Sequence, residues 1–552
     1  MKVIIIGGVA GGASAAARLR RLDEKAEIII LERGKYVSFA NCGLPYYIGN
    51  VIKQREKLLL QTKGSMKSRY NVEVRLQNEV VGIDKLGKTV TVKTPAGVYT
   101  EPFDRLIIAT GAYPSVPSIE GLDTLPDVFN VRSVDDADVI KAFIKEKNPK
   151  TALVIGGSYI GLEMAENIMQ LGIDVTVAEY GNHIITPLDF DMAADVQAYV
   201  RKKGLDLRLH DTAKSFSETE KGVEAVFKNG EKKVFDMVIV ATGVKPDTAF
   251  VKMSEISLNN RGSIITDENM MTDVDNIYAV GDAACVKNFV TGKEAFIPLA
   301  GPANRQGRVA ADNICSLNSH YTGTQGSSVL KIFDMTVATT GMSEESLKYE
   351  NIEYDKTYIY SASHASYYPD ASNISMKLIW DKKSGKILGA QAVGFDGVEK
   401  RIDVISTAMR FGALAWELAS LELCYAPPFG SAKDPVNMLG FIAENIKNGK
   451  LLQFFPEDVE SLPRDGSVTL LDVRTEAEYN ENHIDGFMNI PLDSLRDRIN
   501  EIPKDKTVYV HCFSGMRSYL AYRILVGNGY KCKNLAGGFR LYSSISQELH
   551  RI

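Results

Sequence analysis

Cysteine is scarce in this chain, and what there is does not pair. The six cysteines, Cys42, Cys285, Cys315, Cys424, Cys512 and Cys532, form no CxxC motif in 552 residues. That spacing argues against a zinc site and against a disulfide framework, so no metal is expected. An excess of positive charge is also lacking: 64 basic against 69 acidic residues leave a net charge of -5, with no polybasic tract. Nucleic acid and anionic membrane surfaces are therefore not expected partners. No apolar run approaches the roughly 20 residues of a membrane span. The short run 3–6 is broken at once by glycines, without the basic flank or cleavage pattern of a signal peptide. These absences leave a cytoplasmic enzyme acting on small molecules as the expectation. With 552 residues, 45% of them hydrophobic, the chain is too long for one core, and three or four domains are expected.

Two glycine clusters carry the next step. Residues 2–12 read as a buried strand running into Gly7-Gly8-Val9-Ala10-Gly11-Gly12, followed by a small-residue helix start at 13–20. Backbone N–H groups and a helix N-terminus at such a turn receive a pyrophosphate. The next strand, 27–31, ends at Glu32, about 20 residues further on, where an acid binds ribose hydroxyls. A second copy follows: strand 152–155, the turn Gly156-Gly157-Ser158-Tyr159-Ile160-Gly161, and strand 174–178 ending at Glu179. In both copies the middle glycine of GxGxxG is replaced, by Val9 and by Ser158. No Arg or Lys follows Glu179 in Tyr180-Gly181-Asn182 to hold a 2′-phosphate, so NADH is expected, with NADPH open as the alternative.

Two nucleotide turns imply two nucleotides. Ala109-Thr110-Gly111 and Ala241-Thr242-Gly243 each close a strand, and 272–282 reads TDVDNIYAVGD, a strand whose terminal Asp282 can bind a ribityl chain. On these motifs residues 1–445 resemble the flavoprotein disulfide reductases built on two dinucleotide-binding domains. The resemblance implies FAD at Gly7, Gly8, Val9, Ala10, Gly11 and Gly12 with Glu32, Arg33, Asn41, Ala109, Thr110, Gly111, Asp282 and Ala300. It implies the nicotinamide nucleotide at Gly156, Gly157, Tyr159, Ile160, Gly161, Glu163, Glu179 and Gly243.

Cys42 is the expected redox centre. Relatives that reduce a dithiol carry a second cysteine five positions on, where this chain has Tyr47, so Cys42 cannot close an internal disulfide on that spacing. A single cysteine beside a flavin either cycles through a sulfenic acid, as in NADH peroxidases and oxidases, or forms a mixed disulfide with an external thiol. The peroxidase and oxidase relatives place a histidine in the first glycine turn, where this chain has Val9 and Ala10. The stretch 38–47, with Asn41 before the cysteine and Gly-Leu-Pro-Tyr after it, is similar to that of the coenzyme A disulfide reductases.

That likeness implies coenzyme A, bound as substrate or mixed disulfide. It implies Arg18, Arg21 and Arg69 as cations for the anionic 3′-phospho-ADP end, Ser38 and Asn41 beside the pantetheine arm, and Asn304, Arg308 and Lys433 as further contacts. Residues 323–440 leave the glycine-turn pattern and look like the family's dimerisation domain, implying a homodimer. Tyr367 and Tyr425 match positions where the family lends tyrosines to the partner's active site, where a hydroxyl could protonate the departing thiolate.

After Lys450 the pattern changes again. Leu470-Leu471-Asp472-Val473-Arg474, then His483-Ile484-Asp485-Gly486, then VYVHCFSGMRS at 508–518, resemble a single rhodanese domain. Cys512 ends a buried strand and opens a short loop, Phe513-Ser514-Gly515-Met516-Arg517, into a helix. Inward-facing N–H groups of such a loop favour a thiolate and then a terminal persulfide. Arg517 is expected to add positive charge, and Asp472 with Arg474 to brace the loop. A cysteine phosphatase or arsenate reductase uses a longer Cys-to-Arg loop than the four intervening residues here.

The expected fold class is α/β, arranged as an FAD domain at 1–112 and 243–322, a nicotinamide nucleotide domain at 113–242, an α+β dimerisation domain at 323–445, a linker at 446–464 and an α/β rhodanese domain at 465–552. The expected activity is reduction of coenzyme A disulfide, persulfide or polysulfide through a Cys42–S–S–CoA mixed disulfide, with Cys512 handling sulfane sulfur. The alternatives are an NADH oxidase or peroxidase and a redox-sensing sulfur carrier.

Overall fold

The computed structural model describes residues 1–551. The chain forms two compact units, Met1–Tyr180 with Leu205–Gly326, and Gly181–Gly204 with the chain from Ser327 onward.

The first unit is built on two parallel sheets. One runs in the order Ile277–Ala279, Arg105–Ile108, Lys2–Ile6, Glu27–Glu32, Glu73–Leu76. The other runs Asp206–Arg208, Asp174–Ala178, Thr151–Ile155, Met237–Val240, Val128–Phe129. Their central strands are apolar on both faces and wholly buried, as a parallel strand covered by helices requires. Each central strand ends in the same turn. Gly7 and Gly156 take left-handed φ values of +92° and +103°, and a Cβ on either would fall 2.4 or 2.5 Å from the carbonyl oxygen of Ala109 or Ala241. Gly12 and Gly161 open the helices so closely that an added Cβ would meet the oxygens of Gly7 and Gly156. Backbone approach of this kind leaves N–H groups facing outward for a phosphate. Two antiparallel three-stranded sheets and two two-stranded ones complete the unit.

In the second unit, Ser328–Ile332, Met335–Gly341, Ile387–Gly394, Asn373–Asp381 and Tyr354–Ala362 form an antiparallel sheet packed by helix Val398–Arg410. A parallel sheet follows, ordered Gln453–Phe454, Cys532–Leu535, Val508–His511, Thr469–Asp472, Met488–Asn489. Its edge strand comes from the segment read as a linker, 446–464. Phe454, Val459 and Leu462 bury themselves in the C-terminal core, so half of that segment belongs to the module it was expected only to connect.

The two parts of this unit are joined by buried polar contacts. Glu548 accepts from Gln197 at 3.0 Å and pairs with Arg201, both on helix Phe190–Lys202. Lys356 bridges Glu344 and Glu457 at 2.9 and 2.7 Å. At the centre lies Lys377, fully buried, whose ammonium is shared by Asp189, Asp191 and Glu344. That ammonium holds the Glu344 carboxyl down to about 2 despite its burial, with Lys356 adding to the effect.

Candidate active site

Cys42 sits in a 3-10 turn, Asn41–Gly43, leading into the short helix Leu44–Ile48, and its side chain is exposed. The preceding residues are tied to the first glycine turn, because the Ser38 N–H donates to the Gly8 carbonyl at 2.7 Å. Ser38 itself is left-handed, with φ +48°. Although Cys42 is reachable by solvent, partial desolvation by the surrounding loop pushes its thiol up, and the charges of Glu163 and Asp282 push it the same way. Tyr47, standing where a second cysteine would be, is buried, and its hydroxyl donates to Asp138 at 3.3 Å.

The neighbouring residue, Tyr46, was not singled out from sequence. Its hydroxyl donates to Glu163 at 3.2 Å, and the Glu163 carboxyl is pushed up to about 7 by burial, with Glu166 nearby adding to the rise. An acid titrating near neutrality thus stands within electrostatic reach of the cysteine.

Two cavities meet this loop. A cavity of 520 Å³ is lined by Gly7, Val9, Ala10, Gly11, Glu32, Arg33, Asn41, Ala109, Thr110, Gly111 and Asp282. The Glu32 carboxylate accepts from the N–H groups of Gly8 and Gly34 at 2.9 and 2.8 Å, and in the second copy Glu179 accepts from Gly157 at 2.6 Å. Each acid therefore braces its glycine turn as well as ending its strand. Arg33 pairs with Asp247 at 2.5 Å, and burial raises the Asp282 carboxyl against the opposing pull of Arg132. Ala300 opens helix Ala300–Ile314, whose Gly307 lets it press on Gly11 of the first helix. Tyr159 and Ile160 begin helix Tyr159–Met169, and Gly243 lies beyond strand Met237–Val240.

A second cavity, of 350 Å³, is lined by Ser14, Arg18, Arg21, Ser38, Gln61, Asn304 and Arg308 among others. Arg18 donates to Asp312 at 2.6 Å and Arg308 lies 3.9 Å from the same carboxylate, so three arginines face this space against one partnering acid. Arg69 is exposed on helix Lys63–Tyr70 and does not line the cavity. Lys433 belongs to the second unit.

In the second unit the hydroxyls of Tyr367 and Tyr425 lie 2.8 Å apart, both side chains exposed. Arg401, fully buried, holds their loops by donating to the Ser363 carbonyl at 2.6 Å and to Asp434 at 3.0 Å. The Cys512 sulfur is 1% exposed and accepts from the Gly515 N–H at 3.1 Å and the Ser518 hydroxyl at 3.3 Å. Asp472 and Arg474 form a buried pair at 2.7 Å beside it, and His511, with its pKa driven down to about 4 by burial, is neutral. Arg517 differs from its expected role: its guanidinium is committed to Glu478 by two bonds of 2.7 Å.

Comparison with known proteins follows this geometry. The family model described as pyridine nucleotide-disulphide oxidoreductase matches residues 1–355, and that family's dimerisation domain matches 327–435. The chain belongs to the pyridine nucleotide-disulphide oxidoreductase family. The rhodanese-like domain model matches residues 455–544 of this oxidoreductase. The oxidoreductase is 36% identical to the coenzyme A disulfide reductase of Staphylococcus epidermidis over 80% of this chain and 100% of that one. Its fold is similar to that of reduced Bacillus anthracis CoADR-RHD, with 48% identity, a TM-score of 0.97, and 99% and 98% of the two chains covered. An NAD-dependent persulfide reductase from A. fulgidus follows at 36% identity and TM-score 0.92, covering 98% and 100%. A water-forming NADH oxidase from Lactobacillus brevis, at 27% identity and TM-score 0.76, covers 81% and 98%. Membership implies FAD and a nicotinamide nucleotide, and the residues fit both: twin turns too close for any Cβ, each with an acid at its second strand.

Three further features of this oxidoreductase escaped the sequence reading. Glu478, with Tyr479 part of the rhodanese-like pattern, gives no sign in the sequence of its pairing with Arg517; locally it closes a capping box with Thr475. Gly537-Gly538 follows a buried strand, and a Cβ on Gly538 would fall 2.6 Å from the Cys512 carbonyl oxygen. The pairing of Tyr46 with Glu163 joins residues far apart in the chain, and no local pattern signals it.

Proposed function

We propose that this enzyme uses NADH and FAD to reduce sulfur–sulfur bonds carried on coenzyme A, with coenzyme A persulfide as the physiological acceptor and coenzyme A disulfide as a second. The reading rests on one observation: the loop bearing Cys42 is common to both cavities, Ser38 bordering the arginine-rich one and Asn41 the dinucleotide one. A thiol-ended substrate with an anionic far end fits that arrangement, and the names of the Staphylococcus epidermidis and A. fulgidus relatives support it.

Gly7, Glu32 and Asp282 would hold FAD, which when bound would supply the electron pair drawn from the nicotinamide nucleotide. The Cys42 thiolate attacks the coenzyme A sulfur, forming Cys42–S–S–CoA and expelling sulfide from a persulfide or coenzyme A from the disulfide. Two electrons then cleave that bond, returning the Cys42 thiolate and free coenzyme A. Tyr46, whose hydroxyl donates to Glu163, holds the proton that the departing thiolate needs. Arg18, Arg21 and Arg308 neutralise the phosphates. Tyr367 and Tyr425, presented together on the dimerisation domain, serve the cysteine of a second copy in the homodimer. Cys512 handles sulfane sulfur, exchanging it with the coenzyme A arm.

Mass spectrometry of the unreduced enzyme incubated with coenzyme A disulfide tests this reading. A coenzyme A adduct on Cys42, absent from Cys42→Ser, is expected. A free Cys42 thiol, or NADH consumed faster by oxygen than by coenzyme A disulfide, overturns it.

A further inference from the structure

The Cys512 loop lacks what an oxyanion donor needs. Arg517 supplies its cation, and both arms of the guanidinium fork are spent on Glu478 at 2.7 Å each. Glu478 cannot swing aside, because its carboxylate also accepts from the Thr475 N–H and hydroxyl at 2.9 Å each, capping helix Glu476–Glu481. Arg517 and its capping bonds hold the Glu478 carboxyl down to about 2, so the pair persists at any working pH. The remaining cations nearby are likewise matched. Arg474 is buried against Asp472, His511 is neutral, and the Arg540 guanidinium lies over the Tyr360 ring, toward Asp195. The exposed large side chains of the loop and of the helix it opens are apolar: Phe513, Met516 and Leu520 are 42%, 53% and 47% exposed, while Cys512 itself is buried.

We infer that the Cys512 site accepts its sulfur from a carrier that is neutral and apolar next to the sulfur atom, a pantetheine-type persulfide, and that Glu478 sets this preference by cancelling Arg517. The inference rests on the reading of Cys512 as a sulfur carrier. In the transfer, the Cys512 thiolate attacks the terminal sulfur of R–S–SH; the S–S bond of the donor breaks, R–S⁻ leaves, and Cys512–S–SH forms with the proton retained. No external oxidant or reductant is needed, because one sulfur–sulfur bond replaces another. Thiosulfate would undergo the same exchange with sulfite as leaving group, but among the described residues its two negative charges meet Arg517, Arg474 and Arg540 already partnered. The phosphates of coenzyme A lie at the far end of its arm and do not have to approach the cradle.

The test uses the full-length, FAD-loaded enzyme and follows the gain of one sulfur on Cys512 by mass spectrometry, with thiosulfate or pantetheine persulfide as donor. Pantetheine persulfide is expected to load Cys512 at least ten-fold faster than thiosulfate at equal concentration. Glu478→Gln, which releases the Arg517 fork, should raise thiosulfate loading about ten-fold while leaving the pantetheine donor within two-fold. Met516→Lys, at an exposed position, should also raise thiosulfate loading by adding an uncompensated rim cation, while slowing loading by the pantetheine donor, and it stands in if Glu478→Gln fails to fold. Equal loading by the two donors in the wild type, or no gain for thiosulfate in either folded variant, overturns the charge argument and leaves the carrier role intact. Loading by neither donor overturns the carrier reading as well.

Discussion

Replacing Glu163 by Gln isolates the electrostatics around Cys42. The Glu163 carboxyl is pushed from 4.5 up to about 7, chiefly by burial, and its charge in turn raises the Cys42 thiol. The two groups therefore titrate in sequence, and throughout the range where Cys42 ionises, Glu163 is already an anion. A screened repulsion of about 1 kcal/mol between two unit charges is a five-fold change in an equilibrium constant. In FAD-loaded enzyme free of nicotinamide nucleotide, iodoacetamide should alkylate Cys42 of Glu163→Gln at pH 8 about five-fold faster than in the wild type. Stability provides a second readout. A carboxyl raised in the folded state stabilises while it is protonated: the contribution is complete below about 4.5 and is lost as pH rises through 7. The wild type should lose at most about 3 kcal/mol across that interval relative to the variant, read from urea unfolding. Superimposable alkylation profiles for the two proteins would refute the reasoning.

Lys377→Met should cost about 3–5 kcal/mol at pH 7, because Asp189, Asp191 and Glu344 would remain buried without their ammonium, and urea midpoints measure it. In the wild type the Glu344 contribution is present above about 4.5 and lost as pH falls through about 2, so acid unfolding should begin in that window. Gly538→Ala places a Cβ against the Cys512 carbonyl oxygen at φ +63°; sulfur loading of Cys512 should fall sharply while NADH-dependent reduction of coenzyme A disulfide continues. Arg308→Ala should raise KM for coenzyme A disulfide about ten-fold with little change in KM for NADH, as steady-state kinetics on each substrate will show.

The local chemistry was legible in the sequence because it is local. Both glycine turns, the acids ending their second strands, Asp282 after its strand, and Cys512 between a buried strand and a helix are fixed by residues within about 25 positions of one another, and backbone sterics translate that spacing directly into geometry. Tertiary structure alone decided which side chains meet across long stretches of chain. It put Glu163 against Tyr46, gathered Arg18, Ser38 and Arg308 around one cavity, and drew Phe454 into the C-terminal sheet instead of leaving it in a linker. It also removed the positive charge read for the Cys512 loop: Arg517 stands as a free charge in the sequence, and only folding shows Glu478 cancelling it. The physical reason is the same in each case. A charge's effect depends on its burial and its nearest opposite charge, and neither quantity exists until the chain is packed.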